Sequence, residues 1–544
     1  MNLTTKKIIV LLILVVLISL GLKLYYIDFS LPYNSDNLGF ILRGFSHLSG
    51  DFSQSPDKGI AWSLFIFPFF HLIESDNVLD YSNLVRIISL AVSSASIPMM
   101  YMLSTRFFER KYSLVAACLF AFEPHLNYYS SQGLAEPLYI LAIIGTFYFV
   151  ISNNAKMIIP ALMTSSIIWW TRINGLVIIM LTTIVFFIIH KRNPKNIKFY
   201  LLGLALFFLI ISPMLIQRDL QFGDPLYFWY NDKIFLDNYD ELVSDNFNNN
   251  ASAFNYIEKN GIFSFTERFI FQGIGNSIEI LFKLSLPYLI ILVPFGILFS
   301  FRAFDQKQNL VWANWIFILG NIAALIVVIA TIPERRFLIL LYPFLIIFSV
   351  IPIQRLVEYG FSTFSFTQRQ KNISLFSILV LVLVLSIGFT VNQYDRPNVI
   401  FENEKLEVAH FMTENLDGVV LDGNGPAFEY VSYVLVNEPH GNFKEKSIVD
   451  PNRHYSEINP NFQRTYIYAE SVENLLTIGS IDNLRYIVSN ENAGFFHKYV
   501  NEIYSNEEKY PYLTKIFDSN EQEMKFLKIK IFEIDYKKFH ELGN

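Results

Sequence analysis

Apolar runs recur throughout residues 8–391, and most of them are close to the length that crosses a membrane. An α-helix needs about 20 mostly apolar residues to span a bilayer core. Only 17% of the chain is charged, against about 25% in soluble domains. The sequence therefore predicts a polytopic membrane protein with about eleven transmembrane helices, at 8–27, 84–105, 113–130, 134–151, 157–173, 175–190, 199–216, 278–301, 310–331, 336–354 and 373–391.

Two apolar segments need separate treatment. The run at 60–73 is short and interrupted by Pro68, so we expect a helix that lies in the membrane interface and does not cross. The first run follows Lys6 and Lys7, as in a signal peptide, but no small-residue cleavage site follows it. We therefore predict that it is an uncleaved first helix.

The distribution of basic residues predicts the topology. Cytoplasmic loops of membrane proteins are rich in Lys and Arg. With eleven spans, every turn on the side of the N-terminus is basic, which predicts a cytoplasmic N-terminus and an external C-terminus. The basic residues are Lys6, Lys7, Arg106, Arg110, Lys111, Lys156, Lys191, Arg192, Lys195, Lys198, Arg302, Lys307, Arg355, Arg369 and Lys371.

The polar segments lie outside the membrane in this topology. Two long external loops cover 28–83 and 217–277, and the first of them is acidic. After residue 393 the character changes, which predicts a transmembrane domain at 1–393 and an extracytoplasmic α/β domain at 394–544. Its expected elements are a helix at 404–416, strands at 418–422 and 484–488, a helix at 495–504 and a strand at 526–535.

Composition excludes some other classes of function. The net charge of −6 and the lack of a basic stripe argue against nucleic acid as a partner. Cys118 is the single cysteine, so the chain forms no internal disulfide.

Ionisable residues inside the predicted helices all lie toward the external side. Such residues are costly in a bilayer and usually functional. They are Arg86, Glu123, His125, Glu136, Arg172, Lys283, Glu334, Arg335 and Arg336. Simpler roles stay open for some of them: Arg86, Lys283 and Arg336 could extend to the interface, Glu136 could favour a helix dipole, and His125 could be a hydrogen-bonded interfacial residue.

This asymmetry predicts a cavity that opens outward, with loop acids above it and arginines at its rim. Carboxylates serve as general bases toward hydroxyl groups, and guanidinium groups bind phosphate. A lipid-anchored phosphate substrate would suit this arrangement.

Several short motifs, in this order and topology, resemble the type-C (GT-C) membrane glycosyltransferases, in the group of protein O-mannosyltransferases and aminoarabinose transferases (family 39/83-like). The resemblance covers about 8–391. Its motifs are Ser35-Asp36-Asn37-Leu38-Gly39-Phe40, Pro56-Asp57-Lys58-Gly59, Arg86, the segment from Glu123-Pro124 to Glu136-Pro137, Thr171-Arg172 with Gly175, Gly223-Asp-Pro-Leu-Tyr227, and Glu334-Arg335-Arg336 with Tyr342-Pro-Phe344. Asn37 and Phe40 depart from the Glu and Tyr that are commoner in the group.

The resemblance implies a GT-C-like fold and transfer of a sugar from a polyprenyl-phosphate donor to an acceptor hydroxyl on a protein, lipid or glycan. Asp36 would be the general base of an inverting reaction. Some of Lys58, Arg172, Arg335 and Arg336 would hold the phosphate, while Arg86, Glu123, His125, Glu136 and Tyr227 would also contact substrate.

Some questions stay open at this stage. The first loop has no Asp-x-Asp motif, so the sequence requires no metal, although Asp36, Glu123 and His125 could bind a divalent ion. The Trp-Trp-Asp signature of oligosaccharyltransferases is missing, because Thr171 follows Trp169-Trp170. The alternatives are a lipid-linked glycan flippase or transporter, which would carry polar residues deeper in its helices, and a receptor whose ligand binds the C-terminal domain.

Overall fold

The computed structural model describes most of the chain. The described residues are 4–32, 35–54, 58–172, 175–190, 194–227, 234–236, 252–303, 308–394, 398–421, 428–437, 462–491 and 500–542. They form a bundle of apolar helices followed by a smaller domain built around a β-sheet.

Among the described residues, six helical segments are long and apolar enough to cross a membrane, or seven if one strongly bent pair counts as a single span. The chain is therefore a multi-pass membrane protein. The six are Thr5–Leu24 (helix α1), Val78–Ser104, Lys195–Phe222, Gln308–Thr331, Arg335–Gly360 and Gln368–Gln393, and the bent pair is Ala253–Leu284 with Leu289–Ser300. The predicted count of about eleven spans is not confirmed.

The difference lies in the length of the helices and not in their positions, because each predicted span coincides with helical structure. The helices Glu136–Val150, Ile158–Thr171 and Gly175–Ile189 are shorter than a full span. The span predicted at 113–130 is two helices, Arg110–Ala121 and Pro124–Ser131. The break has a local cause, since proline favours the first turn of a helix.

The first loop contains two short helices. Helix α2 (Ser35–Leu48) was not predicted, because it alternates polar and apolar faces and lacks a continuous apolar run. The segment Ala61–Leu72 (α3) is helical and too short to cross a membrane, as expected for 60–73. The apolar face of α2 packs with this segment and with α4 (Val78–Ser104) in one buried cluster.

The other helices connect or extend these elements. The helix Pro194–Phe222 continues about a turn and a half beyond its predicted end at 216, which brings Arg218 into the helix. Within the second long loop, residues 228–233 and 237–251 lie outside the described residues, as do residues 422–427 after the first strand of the C-terminal domain. Other helices of the membrane domain are Ala253–Phe265, Thr266–Phe271, Gln272–Leu284, Leu289–Ala303 and Tyr342–Arg355.

The C-terminal region contains a five-stranded mixed sheet with the strand order β2-β1-β3-β5-β4. Strands β1, β2 and β3 pair in parallel, and β5 pairs antiparallel with both β3 and β4. The strands are β1 (Gly418–Leu421), β2 (Phe462–Thr465), β3 (Leu484–Asn490), β4 (Leu513–Asp518) and β5 (Ile529–Ile534). The predicted small α/β domain is confirmed in kind, although β2 and β4 were missed.

Helices cover both faces of this sheet. The helix predicted at 404–416 is Val399–Asn415, and the helix predicted at 495–504 is described only from Val500 to Ser505. The helices that were not predicted are Val431–Asn437, Val472–Ile481 and Tyr536–Leu542. The predicted domain boundary follows the last long membrane helix, which ends at Gln393.

Candidate active site

Asp36 lies between two cations. Its Oδ1 atom is 2.6 Å from Lys58 Nζ, and its Oδ2 atom accepts a hydrogen bond from Arg336 Nη1 at 2.9 Å. The three residues come from α2, from the segment before Ala61 and from the turn before the helix Tyr342–Arg355. The structure thus brings together three residues that the sequence analysis placed in one site.

The position of Asp36 is fixed through its neighbour Asn37, which is buried. The Asn37 amide nitrogen donates to the carbonyl of Gln132 at 3.2 Å, and its Oδ1 accepts from Ser82 Oγ at 2.8 Å. Trp62 Nε1 donates to the carbonyl of Gly133 at 2.9 Å in the same region. Asn37, which departs from the commoner Glu of the group, therefore ties the start of α2 to α4 and to the turn before Glu136.

Lys58 is placed by close backbone packing. Gly59 lies so near the end of the helix Ile158–Thr171 that a Cβ atom there would be 2.5 Å from the carbonyl carbon of Thr171. Only glycine allows this approach. On the other side, the Lys58 ammonium lies 5.7 Å from the ring centroid of Phe40, a cation–π distance.

The two cations set the charge of Asp36. Lys58, with Arg336 as a second cation, lowers the pKa of the Asp36 carboxyl well below its usual range, and this outweighs partial burial. The carboxylate therefore stays ionised at neutral pH. It can accept a proton, and it becomes a stronger base when either cation turns toward another anion.

A second ion pair adjoins this group. Arg172 forms a hydrogen-bonded pair with Glu136, which is buried. The guanidinium of Arg172 lies 5.6 Å from the Phe337 ring and 5.7 Å from the Tyr139 ring. Since Phe337 follows Arg336 directly, the Glu136–Arg172 pair belongs to the same site.

Arg218 is a residue of this region that the sequence analysis missed. It is buried, and it donates to Gln54 Oε1 at 3.0 Å and to the carbonyl of Tyr227 at 2.9 Å. It was missed because the predicted helix ended at 216, which placed Arg218 in the second loop and outside the set of ionisable residues within helices. The Tyr227 ring stacks on Phe222, with centroids 4.8 Å apart.

A small cleft, partly open to solvent, lies beside Lys58. Its lining combines two cations with apolar surface, which are the two kinds of contact that a phosphate joined to a hydrocarbon chain would need. The lining residues are Lys58, Gly59, Trp169, Met214, Arg218, Pro225 and Leu226.

Arg86 lies deeper and organises the first loop. Its guanidinium is buried and donates to the backbone carbonyls of Asp28 at 2.8 Å and Leu31 at 2.7 Å. These contacts hold the loop directly after the first helix. The predicted contact of Arg86 with substrate stays a prediction.

Glu123 and His125 belong to a second group of residues. Glu123 is buried and accepts a hydrogen bond from the backbone N–H of Leu126 at 2.7 Å, which caps the next helix. The His125 ring hydrogen-bonds Tyr394 and contacts the carbonyl of Lys283 at 3.2 Å. His125 is thus a hydrogen-bonded residue, and the contacts of Glu123 and His125 with substrate stay predictions.

Arg335 and Arg336 are consecutive but face different groups. Arg336 pairs with Asp36 and Glu334. Arg335 lies close enough to His125 and Glu279 for electrostatic interaction with both. Both arginines stay candidates for holding the phosphate, and each needs its own test.

The structure does not bring Asp36, Glu123 and His125 together as metal ligands. In the described part of the chain, no three His, Cys, Asp or Glu side chains form a group that could hold a metal ion. Asp57, an alternative acid in the first loop, lies outside the described residues.

Comparison with known proteins gives matches by structure. No protein-family model and no curated protein matches the chain by sequence. ArnT from Cupriavidus metallidurans bound to undecaprenyl phosphate matches with a TM-score of 0.57 and 10% identity, over 97% of this chain and 98% of that one.

Two archaeal structures give further matches. The Archaeoglobus fulgidus oligosaccharyltransferase in complex with Zn and sulfate matches with a TM-score of 0.53 and 13% identity, over 88% of this chain and 68% of that one. The oligosaccharyltransferase AglB from Archaeoglobus fulgidus, in complex with an inhibitory peptide and a dolichol-phosphate, matches with a TM-score of 0.50 and 12% identity, over 89% and 69% of the two chains. ArnT and AglB are type-C membrane glycosyltransferases. The predicted resemblance is confirmed for the fold: the chain has the GT-C membrane glycosyltransferase fold.

Proposed function

We propose that the chain is an integral membrane glycosyltransferase that moves a hexosyl or pentosyl group from a polyprenyl-phosphate donor to an acceptor hydroxyl, with inversion. The observation that carries the proposal is the Asp36 carboxylate held between Lys58 and Arg336, beside a cleft with apolar and cationic walls. The lipid phosphates in the structures of ArnT and AglB support a donor of this class.

In the proposed reaction, the acceptor oxygen attacks the anomeric carbon of the donor sugar. The new C–O bond forms as the bond from that carbon to the phosphate oxygen breaks. The proton of the acceptor hydroxyl goes to the Asp36 carboxylate, and polyprenyl phosphate leaves with the bonding electrons. A single displacement of this kind inverts the anomeric centre.

Lys58 and Arg336 have two roles in this step: they stabilise the leaving phosphate, and they control the basicity of Asp36. A donor phosphodiester carries one negative charge, and the leaving phosphate monoester carries more. As this charge develops, the two cations are attracted away from Asp36 and toward phosphate, which is stabilised by preformed charge. Asp36 then loses the neighbours that lower its pKa, and its affinity for the acceptor proton rises.

The other predicted residues take supporting places. We assign Arg172 and Arg218 to the donor phosphate, and Trp169, Met214 and Leu226 to the isoprenoid chain, because these three side chains form part of the apolar wall of the cleft. The acceptor is a hydroxyl of a protein, lipid or glycan. The step derived above uses no metal ion; the Zn in one structural neighbour makes added divalent ions a condition to test.

We infer that transfer takes place on the external face. Lys111 Nζ lies 3.5 Å from Glu358. This ion pair connects two basic turns, which lie at the ends of their helices opposite to Asp36. The positive-inside rule places such turns in the cytoplasm. The site and the C-terminal domain would then face outward.

The test is sugar transfer in membranes from a panel of radiolabelled polyprenyl-phosphate sugars. General-base catalysis is typically worth 10²–10⁴-fold, so Asp36→Asn should lose activity by that order while photo-crosslinking to the donor is retained. Glu74→Gln, which alters an exposed acid of the same loop, is the matched control and should behave as wild type.

The other outcomes point elsewhere. Unchanged transfer by Asp36→Asn would exclude it as the base. Equal loss of crosslinking and transfer would make Asp36 a donor-binding residue. Donor movement across the membrane without transfer of any sugar would favour the flippase alternative.

A further inference from the structure

The helix Val431–Asn437 of the C-terminal domain packs on two structures at once. Its residues Val431, Val434 and Leu435 are buried in the core of that domain. Val436, on another face of the helix, is fully buried in a different cluster, which contains residues of α2 and α4. Tyr433 packs against both cores.

Hydrogen bonds add direction to this contact. Asn437 Oδ1 accepts the backbone N–H of Val78, the first residue of α4, at 3.2 Å. The Tyr433 hydroxyl lies 3.4 Å from Oδ1 of Asn77, which caps the same helix. An N–H in the first turn of a helix has no partner within that helix, so Asn437 satisfies a group that α4 cannot satisfy itself.

The contact continues toward Asp36. Ser82 lies one helical turn after Val78 on the same side of α4, and its hydroxyl donates to Asn37 at 2.8 Å. Asn37 adjoins Asp36 in the first turn of α2. The apolar cluster joins the same elements, since it contains Val436, Val78 and Leu38.

A second attachment lies at the base of the domain. Tyr394, directly after the last membrane helix, hydrogen-bonds His125. Its ring stacks on Tyr128, with centroids 4.3 Å apart. The domain is thus held at its base and again at Val431–Asn437, so it is not joined to the bundle by a linker alone.

We propose that the helix Val431–Asn437 is a positioning element that holds α4 and α2, and through them Asp36, in the geometry needed for the reaction. The proposal gives the C-terminal domain a role in the catalytic step, and it rests on the role proposed above for Asp36. Asn437 touches no reacting group and acts only through the elements that it holds.

The test compares full-length Asn437→Ala, Asn437→Asp and Asn474→Ala with the wild type. Asn437→Ala removes the acceptor for the Val78 N–H, and Asn437→Asp keeps an acceptor that a helix N-terminus favours. Asn474 is the matched control, because its Oδ1 also accepts a backbone N–H, that of Glu470 at 3.3 Å, elsewhere in the domain.

Two measurements decide the outcome. Hydrogen exchange should become faster at 37–48 and 78–82 in Asn437→Ala alone. A displacement of about 1 Å can cost up to 10²-fold in rate, so we expect kcat to fall on the order of 10-fold while KM for the donor changes less than about twofold. Asn437→Asp should restore the wild-type hydrogen-exchange rates and kcat.

Exchange at 37–48 that is unchanged in Asn437→Ala, or equally changed in Asn474→Ala, overturns the proposal. A fall in donor affinity that matches the fall in kcat overturns it as well. If the wild type transfers no sugar, the proposed function fails, while the exchange measurement still decides whether this helix holds α2.

Discussion

Two glycines lie close to Lys58, and replacing each of them by alanine should have opposite effects. Gly59 packs against backbone at the end of the helix Ile158–Thr171, and Gly39 lies in α2 beneath the Lys58 ammonium. The same added methyl group therefore meets fixed backbone at one position and the end of a flexible side chain at the other.

The size of each effect follows from distances. At Gly59 a Cβ atom would lie 2.5 Å from the Thr171 carbonyl carbon, whereas carbon atoms in contact are about 3.5–4.0 Å apart. Lys58 must therefore move by about 1 Å, a displacement that can cost on the order of 10²-fold in rate. At Gly39 the new Cβ atom would lie 3.5 Å from Lys58 Nζ, an ordinary contact, and alanine favours the helix by about 0.5–1 kcal/mol.

The assay is sugar transfer in membranes, with the thermal stability of purified protein measured in parallel. We expect Gly59→Ala to remain folded and to lose most of its transfer activity, because the displaced Lys58 no longer meets Asp36 and the donor phosphate at hydrogen-bonding distance. Gly39→Ala should keep its activity and melt at the same temperature or higher. Wild-type transfer by Gly59→Ala would refute the argument that Lys58 is held by close packing, and loss of activity in both variants would refute the distinction between them.

Three further predictions concern the charged groups. Because Lys58 lowers the pKa of Asp36, Lys58→Met should raise it, so that residual activity is lost at a higher pH as the solution is acidified; an unchanged acid limb of kcat/KM would contradict this. Arg86→Met leaves two loop carbonyls without their donor, which costs about 1–3 kcal/mol each when buried; the melting temperature should fall and limited proteolysis should cut the first loop sooner, and wild-type values would disprove the role. Glu136→Gln and Arg172→Gln should be coupled by about 0.5–3 kcal/mol in a double-mutant cycle of transfer rates, and additive losses would mean that the pair does not act as a unit.

The sequence located the membrane helices but not their lengths. Apolar runs mark where a helix is buried, and every predicted span coincides with helical structure. Breaks depend on local backbone geometry, so the interruption before Pro124 and the 112° bend between the helices that end at Leu284 and begin at Leu289 are not visible in hydropathy. Helix α2 was missed because its polar face gives it the composition of a loop.

The candidate site could be predicted in part for a related reason. Charges near the ends of apolar runs carry a strong signal, which marked Arg336. Asp36 and Lys58 lie in the first loop and were placed in the same site by the resemblance to GT-C enzymes. Which charges meet depends on side-chain direction. Arg335 and Arg336 are adjacent in sequence but face different partners, and Arg86 binds backbone carbonyls that no sequence motif records.

The balance of charge at the site connects this arrangement to the proposed reaction. Asp36, Glu334 and Glu136 pair with Lys58, Arg336 and Arg172, so these described side chains balance one another before a ligand binds. Such balance makes partial burial of six charged groups tolerable. A donor phosphate that enters this cluster adds negative charge, and the charge grows as the leaving group departs. Uptake of one proton by a carboxylate offsets the charge that develops on the leaving group. Asp36 is the acid whose two cationic partners are best placed to turn toward phosphate, and the acceptor hydroxyl can supply the proton, so donor cleavage and acceptor deprotonation would favour each other in a single step.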